Sequence, residues 1–84
     1  DINRIYPNPF NPRTNIDIQI SEPGMVKLNL YDLKGRKIET LLSKFYLPGY
    51  YSIIWDGTNH SSGIYFVILY SKNDIVKKKR ILIK

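Results

Sequence analysis

Tyr51, Ile53 and Trp55 alternate with Tyr50, Ser52 and Ile54, the period of an extended strand with one face in a core. Turn chemistry follows in Asp56-Gly57-Thr58-Asn59-His60-Ser61-Ser62-Gly63, which is polar and glycine-flanked. Ile64 to Tyr70 then runs without a break through β-branched and aromatic residues, the pattern of a strand covered on both faces. No other stretch constrains the fold as tightly, because it suits a sheet and disfavours a helix. The chain's one tryptophan closes the first of these strands. It is expected to anchor the core, with Tyr51 and Ile53 on its side.

The same period recurs on either side. Ile16, Ile18 and Ile20 alternate with Asp17 and Gln19, and Val26, Leu28 and Leu30 alternate with Lys27, Asn29 and Tyr31. Pro23-Gly24 and Pro48-Gly49 mark turns, and Asp32-Leu33-Lys34-Gly35-Arg36 reads as a hairpin connection with Gly35 placed for positive φ. Lys37 to Leu42 is expected as a strand with Ile38 inside, its end blurred where Leu41 and Leu42 break the alternation. Ser43 to Tyr46 reads as loop. Lys72-Asn73-Asp74 turns the chain once more into a last strand, Ile75 to Ile83.

Residues 1–14 differ from the rest. Three prolines fall between Pro7 and Pro12, each fixing φ and lacking an amide donor. This segment is expected to be an extended lead-in without ladder pairing, packed on the sandwich, with Pro9 in its motif and Phe10 plugging the core edge. Residues 15–84 then form a single domain. Six strands at short, regular spacing predict an all-β fold, an immunoglobulin-like antiparallel β-sandwich of six to seven strands.

Composition sets the outer bounds. A chain of 84 residues can bury one core and no more. No apolar run reaches the roughly 20 residues of a membrane-spanning helix, and the start lacks a basic region followed by an apolar stretch, so no export signal is expected within the chain. Cysteine is absent, which excludes disulfides, thiolate metal sites and thiol nucleophiles. The net charge is +6, and Lys77, Lys78, Lys79, Arg80 and Lys84 crowd into the end of the chain. A solvated edge strand uses lysines in this way to discourage strand-to-strand aggregation. Nucleic-acid binding would want such charges interleaved with exposed aromatics across one face, and the tyrosines lie elsewhere, so no nucleic-acid partner is expected.

No catalytic, cofactor or metal site is expected. His60 is the only histidine and reads as an exposed loop residue, with no acid at a spacing that would orient it. Asp32, Asp56 and Asn59 lack the alternating acidic loop of a calcium site and read as turn caps bonding to nearby backbone amides.

Taken in order, the motifs say more than any one of them. Asn8-Pro9-Phe10-Asn11-Pro12, Tyr31-Asp32-Leu33-Lys34-Gly35-Arg36, Trp55-Asp56-Gly57, Ser62-Gly63-Ile64-Tyr65-Phe66 and the basic end closing on Ile81-Leu82-Ile83-Lys84 follow one another. This series resembles the type A C-terminal sorting domain of the type IX (Por) secretion system, from about Tyr6 to Lys84. It is also similar to the immunoglobulin-like domain of the flagellar hook-capping protein. Two departures stand out: the hairpin between the WDG and SGIYF motifs is shorter than in some relatives, and Arg80 fills a slot that is usually apolar.

The resemblance implies a non-catalytic, monomeric recognition module, covalently joined to an N-terminal cargo domain. Such modules bring a secreted protein of a Gram-negative bacterium through the periplasm to the outer-membrane surface or beyond. The implied partners are the outer-membrane translocon and a sortase-like protease. Lys77, Lys78, Lys79, Ile81, Leu82, Ile83 and Lys84 are the expected recognition residues. Pro9, Phe10, Gly35, Trp55, Asp56, Gly57, Gly63 and Tyr65 are expected to hold the fold. Two other readings compete: a structural accessory domain without an export signal, and a carbohydrate-binding module stacking sugars on Tyr46 and Tyr50.

Overall fold

The computed structural model of the chain describes residues 2–7, 13–61, 63–71 and 75–83, and of Pro7 and 75–83 the backbone course only. Seven strands account for nearly all of it: β1 (Ile2–Pro7), β2 (Arg13–Ile20), β3 (Gly24–Tyr31), β4 (Lys37–Tyr46), β5 (Gly49–Asp56), β6 (Gly63–Tyr70) and β7 (Ile75–Ile83). They form two antiparallel sheets, ordered β1-β2-β5 and β4-β3-β6-β7. The expected β-sandwich is what the chain builds. In the constant immunoglobulin arrangement the fourth strand lies in the sheet of the fifth; here β4 pairs with β3 instead.

The alternation read from the sequence becomes the core. Ile16, Ile18 and Ile20 on β2 face Val26, Leu28 and Leu30 on β3 and Tyr65, Val67 and Leu69 on β6, all buried. Each fully buried aliphatic side chain contributes about 1.5–3 kcal/mol over its exposed state, so this cluster dominates the stabilising side. Register decides which residues join it. Pairing Ile16 with Ile53 and Ile18 with Tyr51 lines up the inner face of the first sheet, and a slip of one residue would turn all of these to water. Trp55, one residue before the end of β5, lies opposite Thr14 and is 2% exposed, with Tyr51 and Ile53 packed against the same cluster. Among the described residues, every buried side-chain nitrogen or oxygen has a hydrogen-bond partner.

Four expectations are corrected. Residues 2–7 are a paired strand: β1 runs antiparallel to β2, and Ile2 is buried. Ile2 to Tyr6 keep their amide donors, and Pro7, the register partner of Thr14, closes the strand at its end, where a missing donor is tolerated. Phe10 and Pro9 lie outside the described residues.

β4 continues through Ser43 to Tyr46, where a loop was expected. A bulge explains both the broken alternation and the extra length. The register shifts between Leu28 and Asn29, so one of the adjacent leucines is absorbed and the ladder resumes with Leu42 opposite Leu28 and Tyr46 opposite Gly24.

The WDG and SGIYF segments do not form a hairpin, because β5 and β6 belong to different sheets. Their connection crosses from one layer to the other, which brings the Trp55 ring to 5.4 Å from the Tyr65 ring across the core.

β6 is not covered on both faces. Its odd positions are buried from Tyr65 onward, whereas Phe66, Ile68 and Tyr70 are half-buried and Ile64 is exposed.

Candidate functional site

β7 is the edge strand of the four-stranded sheet, and its ladder runs to β6. Lys77 is opposite Ile68, Lys78 opposite Val67, Ile81 opposite Tyr65, Leu82 opposite Ile64 and Ile83 opposite Gly63. Between Tyr65 and Val67 the register shifts, at the height of Lys79 and Arg80. The backbone of β7 also approaches β1 of the other sheet, so one long side of the sandwich is closed by these two strands. Thus the structure brings Lys77, Lys78, Lys79, Ile81, Leu82 and Ile83 onto one sheet edge. Lys84 lies outside the described residues.

The named motifs gather elsewhere, at the end of the sandwich where β5 crosses to β6. The Trp55 indole Nε1 donates to Glu39 Oε1 at 3.0 Å. The same oxygen lies 3.5 Å from His60 Nε2, and the His60 ring sits 5.2 Å from the Trp55 ring and 6.5 Å from the Tyr65 ring. Tyr65 Oη donates to the Ser61 carbonyl at 2.7 Å, and the His60 amide donates to the Gly57 carbonyl at 3.0 Å. Asp56 Oδ1 accepts from the Thr58 amide at 2.9 Å, the turn cap expected of it. Gly57 is buried in the same connection, and Gly63 opens β6 beyond it. The chain is thereby folded down over its tryptophan.

His60 is therefore not the exposed loop residue expected. It is half-buried, and its acid partner is Glu39 on β4, a residue the sequence reading passed over. Ile38, expected inside, does pack against the core, partly buried. Register shifts on both sides of the Asn29 and Leu30 pairs turn Glu39 to the core side, opposite Leu30. No local signal marks such a shift beyond the doubled leucine two residues on.

The β3–β4 hairpin is built as its sequence predicts. Gly35 has φ +84°, the region where a side chain is strained. Asp32 Oδ1 accepts from the Lys34 and Arg36 amides, both at 2.9 Å, and Asp32 Oδ2 meets Arg36 Nε at 2.8 Å. The Arg36 amide foremost holds the Asp32 carboxyl below the usual carboxylate range, with the Arg36 side chain and the Lys34 amide acting in the same direction.

On the outward face of the same sheet a polar chain runs between strands. Thr40 Oγ1 donates to Asn29 Oδ1 at 2.9 Å, Asn29 Nδ2 donates to Tyr31 Oη at 3.2 Å, and the Tyr31 and Tyr70 hydroxyls are hydrogen-bonded to each other at 2.7 Å. That last bond lowers the Tyr31 pKa and raises that of Tyr70, because one phenol donates to the other. The sugar-stacking platform of Tyr46 and Tyr50 does not exist. Tyr46 is 8% exposed and belongs to the core, while Tyr50 is 75% exposed on the outward side of the other sheet.

With this geometry in view, residues 4–84 match the family model described as the secretion system C-terminal sorting domain. No curated protein and no solved structure matches the chain.

Proposed function

The chain belongs to the C-terminal sorting domains of type IX secretion, and from that membership we propose that β7 is the element its export machinery reads. A domain of this family is the sorting signal of a secreted or cell-surface protein, a non-catalytic module linked to an N-terminal cargo and recognised by the secretion machinery. In the finer reading, the protein of a Gram-negative cell reaches the periplasm first. The outer-membrane translocon then captures β7, and a sortase-like protease acts on the domain afterwards.

The observation that carries this reading is the place of the basic run. Lys77 to Arg80 lie on an edge strand whose ladder runs to β6 on one side. An edge strand offers backbone donors and acceptors to a receptor strand, and its flanking lysines steer it toward an acidic groove. The recognition residues are then Lys77, Lys78, Lys79, Ile81, Leu82, Ile83 and Lys84. Pro9, Phe10, Gly35, Trp55, Asp56, Gly57, Gly63 and Tyr65 serve the fold that presents them.

Fusing the chain to an exported reporter in a bacterium with a type IX system tests this. Deleting residues 81–84 is expected to leave the reporter in the periplasm, and the triple charge reversal K77E/K78E/K79E to weaken export. Melting curves of each variant separate lost recognition from lost folding. Equal surface display without the terminal residues would reject β7 as the element read.

A further inference from the structure

A sheet with one face in water carries polar residues on that face. On its central strand β2 the three-stranded sheet obeys this: Asn15, Asp17 and Gln19 face outward and Arg4 pairs with Asp17 at 3.5 Å, while Tyr50 and Ile54 stand exposed beside Ser52 on β5. The four-stranded sheet does not. Along β6, its described central strand beside β3, the outward positions are Ile64, Phe66, Ile68 and Tyr70. Met25 and Phe45, register partners at one end of the face, are 58% and 57% exposed. A groove of about 290 Å³ opens beside them, bordered by Lys27, Ser43 and Tyr70.

The charge on this face has one sign. Lys27 and Lys37 occupy outward register positions of β3 and β4, and among the described residues no carboxylate occupies one on β3, β4 or β6. The polar groups there are already bonded to one another through Asn29, Tyr31 and Tyr70. What the face offers is apolar contact bordered by cations.

We propose that the outward face of β4-β3-β6 docks a protein surface of the secretion machinery that is apolar at its centre and rimmed with carboxylates. The inference rests on the sorting reading and adds a second contact, on a face rather than at the β7 edge. Charge complementarity selects the occupant. A second copy of the chain would set lysines against lysines, whereas an acidic rim pairs with them. Affinity then comes from the central aliphatic and aromatic side chains, and the rim sets approach and orientation.

The test compares two double variants of the full chain fused to a reporter: M25E/F45E on this face and Y50E/I54E on the other sheet. All four side chains are more than half exposed, so stability is expected to change little. M25E/F45E is expected to lower surface display by roughly tenfold or more, since it removes apolar contact and sets two carboxylates against the partner's acidic rim. Y50E/I54E is expected to leave it within about twofold, as for changes outside an interface. A photo-crosslinking residue at position 45 is expected to capture a component of the secretion machinery through an acid-rich segment.

Full display by M25E/F45E, or crosslinks from position 45 only to the cargo or to a second copy, overturns the docking face and leaves the sorting reading standing. A wild-type chain that carries no reporter to the surface overturns both.

Discussion

Two hydrogen-bonded aromatic clusters sit on opposite sides of one sheet. Inside, Trp55, His60 and Tyr65 gather around Glu39 at the end of the sandwich. Outside, Tyr31 and Tyr70 close over Asn29 and Thr40. Each couples aromatic rings to polar side chains, and their work is different. The inner cluster joins the two sheets and fixes the crossing from β5 to β6. The outer one ties β4, β3 and β6 within a single layer and leaves an apolar, cationic surface above it. What a polar aromatic does is thus decided by which side of its strand it occupies.

The sharpest way to break this comparison is at Trp55. Trp55→Ala is expected to cost about 3–5 kcal/mol, because it empties the largest buried side chain and orphans the bond to Glu39. Denaturant unfolding measures it. A cost under about 1 kcal/mol would mean that the inner cluster does not join the sheets, since core truncations of this size cost several times more.

Much of the inner side was legible in the sequence and little of the outer. Period-two alternation marks Ile16, Ile18, Leu28 and Leu30 unambiguously, since a buried face tolerates no slip. Trp55 and Tyr65 come from motifs whose glycines and turn residues leave few conformations open. Glu39 and His60 were missed because a bulge, marked in the sequence only where Leu41 and Leu42 break the alternation, turns Glu39 inward and so supplies the histidine with an acid. The outer cluster was hidden for another reason. An unbroken run such as Ile64 to Tyr70 reads as covered on both faces, and no pattern within one strand says whether a second layer exists. β1 was hidden too, because the prolines after it drew the whole segment into one reading.

The second prediction compares the clusters directly. Asn29 is 4% exposed, but it bonds to Thr40, which is exposed, and to Tyr31, which keeps Tyr70 as a partner, whereas Glu39 accepts from the Trp55 indole, which is 2% exposed. Glu39→Ala is expected to cost about 1–3 kcal/mol, the penalty for stranding a buried donor, and Asn29→Ala about 1 kcal/mol, since the partners it leaves can bond to water or to each other. Paired thermal melts decide it. Reversed magnitudes would mean that the indole N–H finds another acceptor once Glu39 is gone.

A smaller effect sits at the tyrosine pair. Tyr31→Phe removes the hydroxyl that links Asn29 to Tyr70 and is expected to cost about 0.5–1.5 kcal/mol, an ordinary hydrogen bond. The phenol left behind on Tyr70 should then titrate lower than in the wild type, because the bond that raises its pKa is gone. Absorbance near the tyrosinate band follows that titration. An unchanged Tyr70 midpoint would show that the two hydroxyls are not coupled.

The smallest effect concerns the turn that sets the register of the outer face. Asp32 is held ionised below the usual carboxylate range by the Arg36 amide, the Arg36 side chain and the Lys34 amide. Because its folded pKa is depressed, folding favours the charged form. Its contribution is therefore complete above the unfolded carboxylate value of about 3.9 and is lost as pH falls through the lower folded value. Asp32→Asn keeps an oxygen for the turn amides but has no proton to take up. The variant is expected to lose part of the wild type's decline in melting temperature as pH falls through the unfolded carboxylate value of about 3.9 and below, where a depressed pKa acts. Its midpoint at pH 7 should fall slightly, since the pairing with Arg36 is surface-exposed and weak. The decline is compared with that of Asp17→Asn on the other sheet, whose partner Arg4 lies at a longer 3.5 Å and whose carboxyl takes part in no turn. If Asp32→Asn declines with acid as steeply as the wild type, the hairpin is not held by its carboxylate. The pairing of Asn29 with Thr40 would then rest on Gly35 and the strand ladder alone.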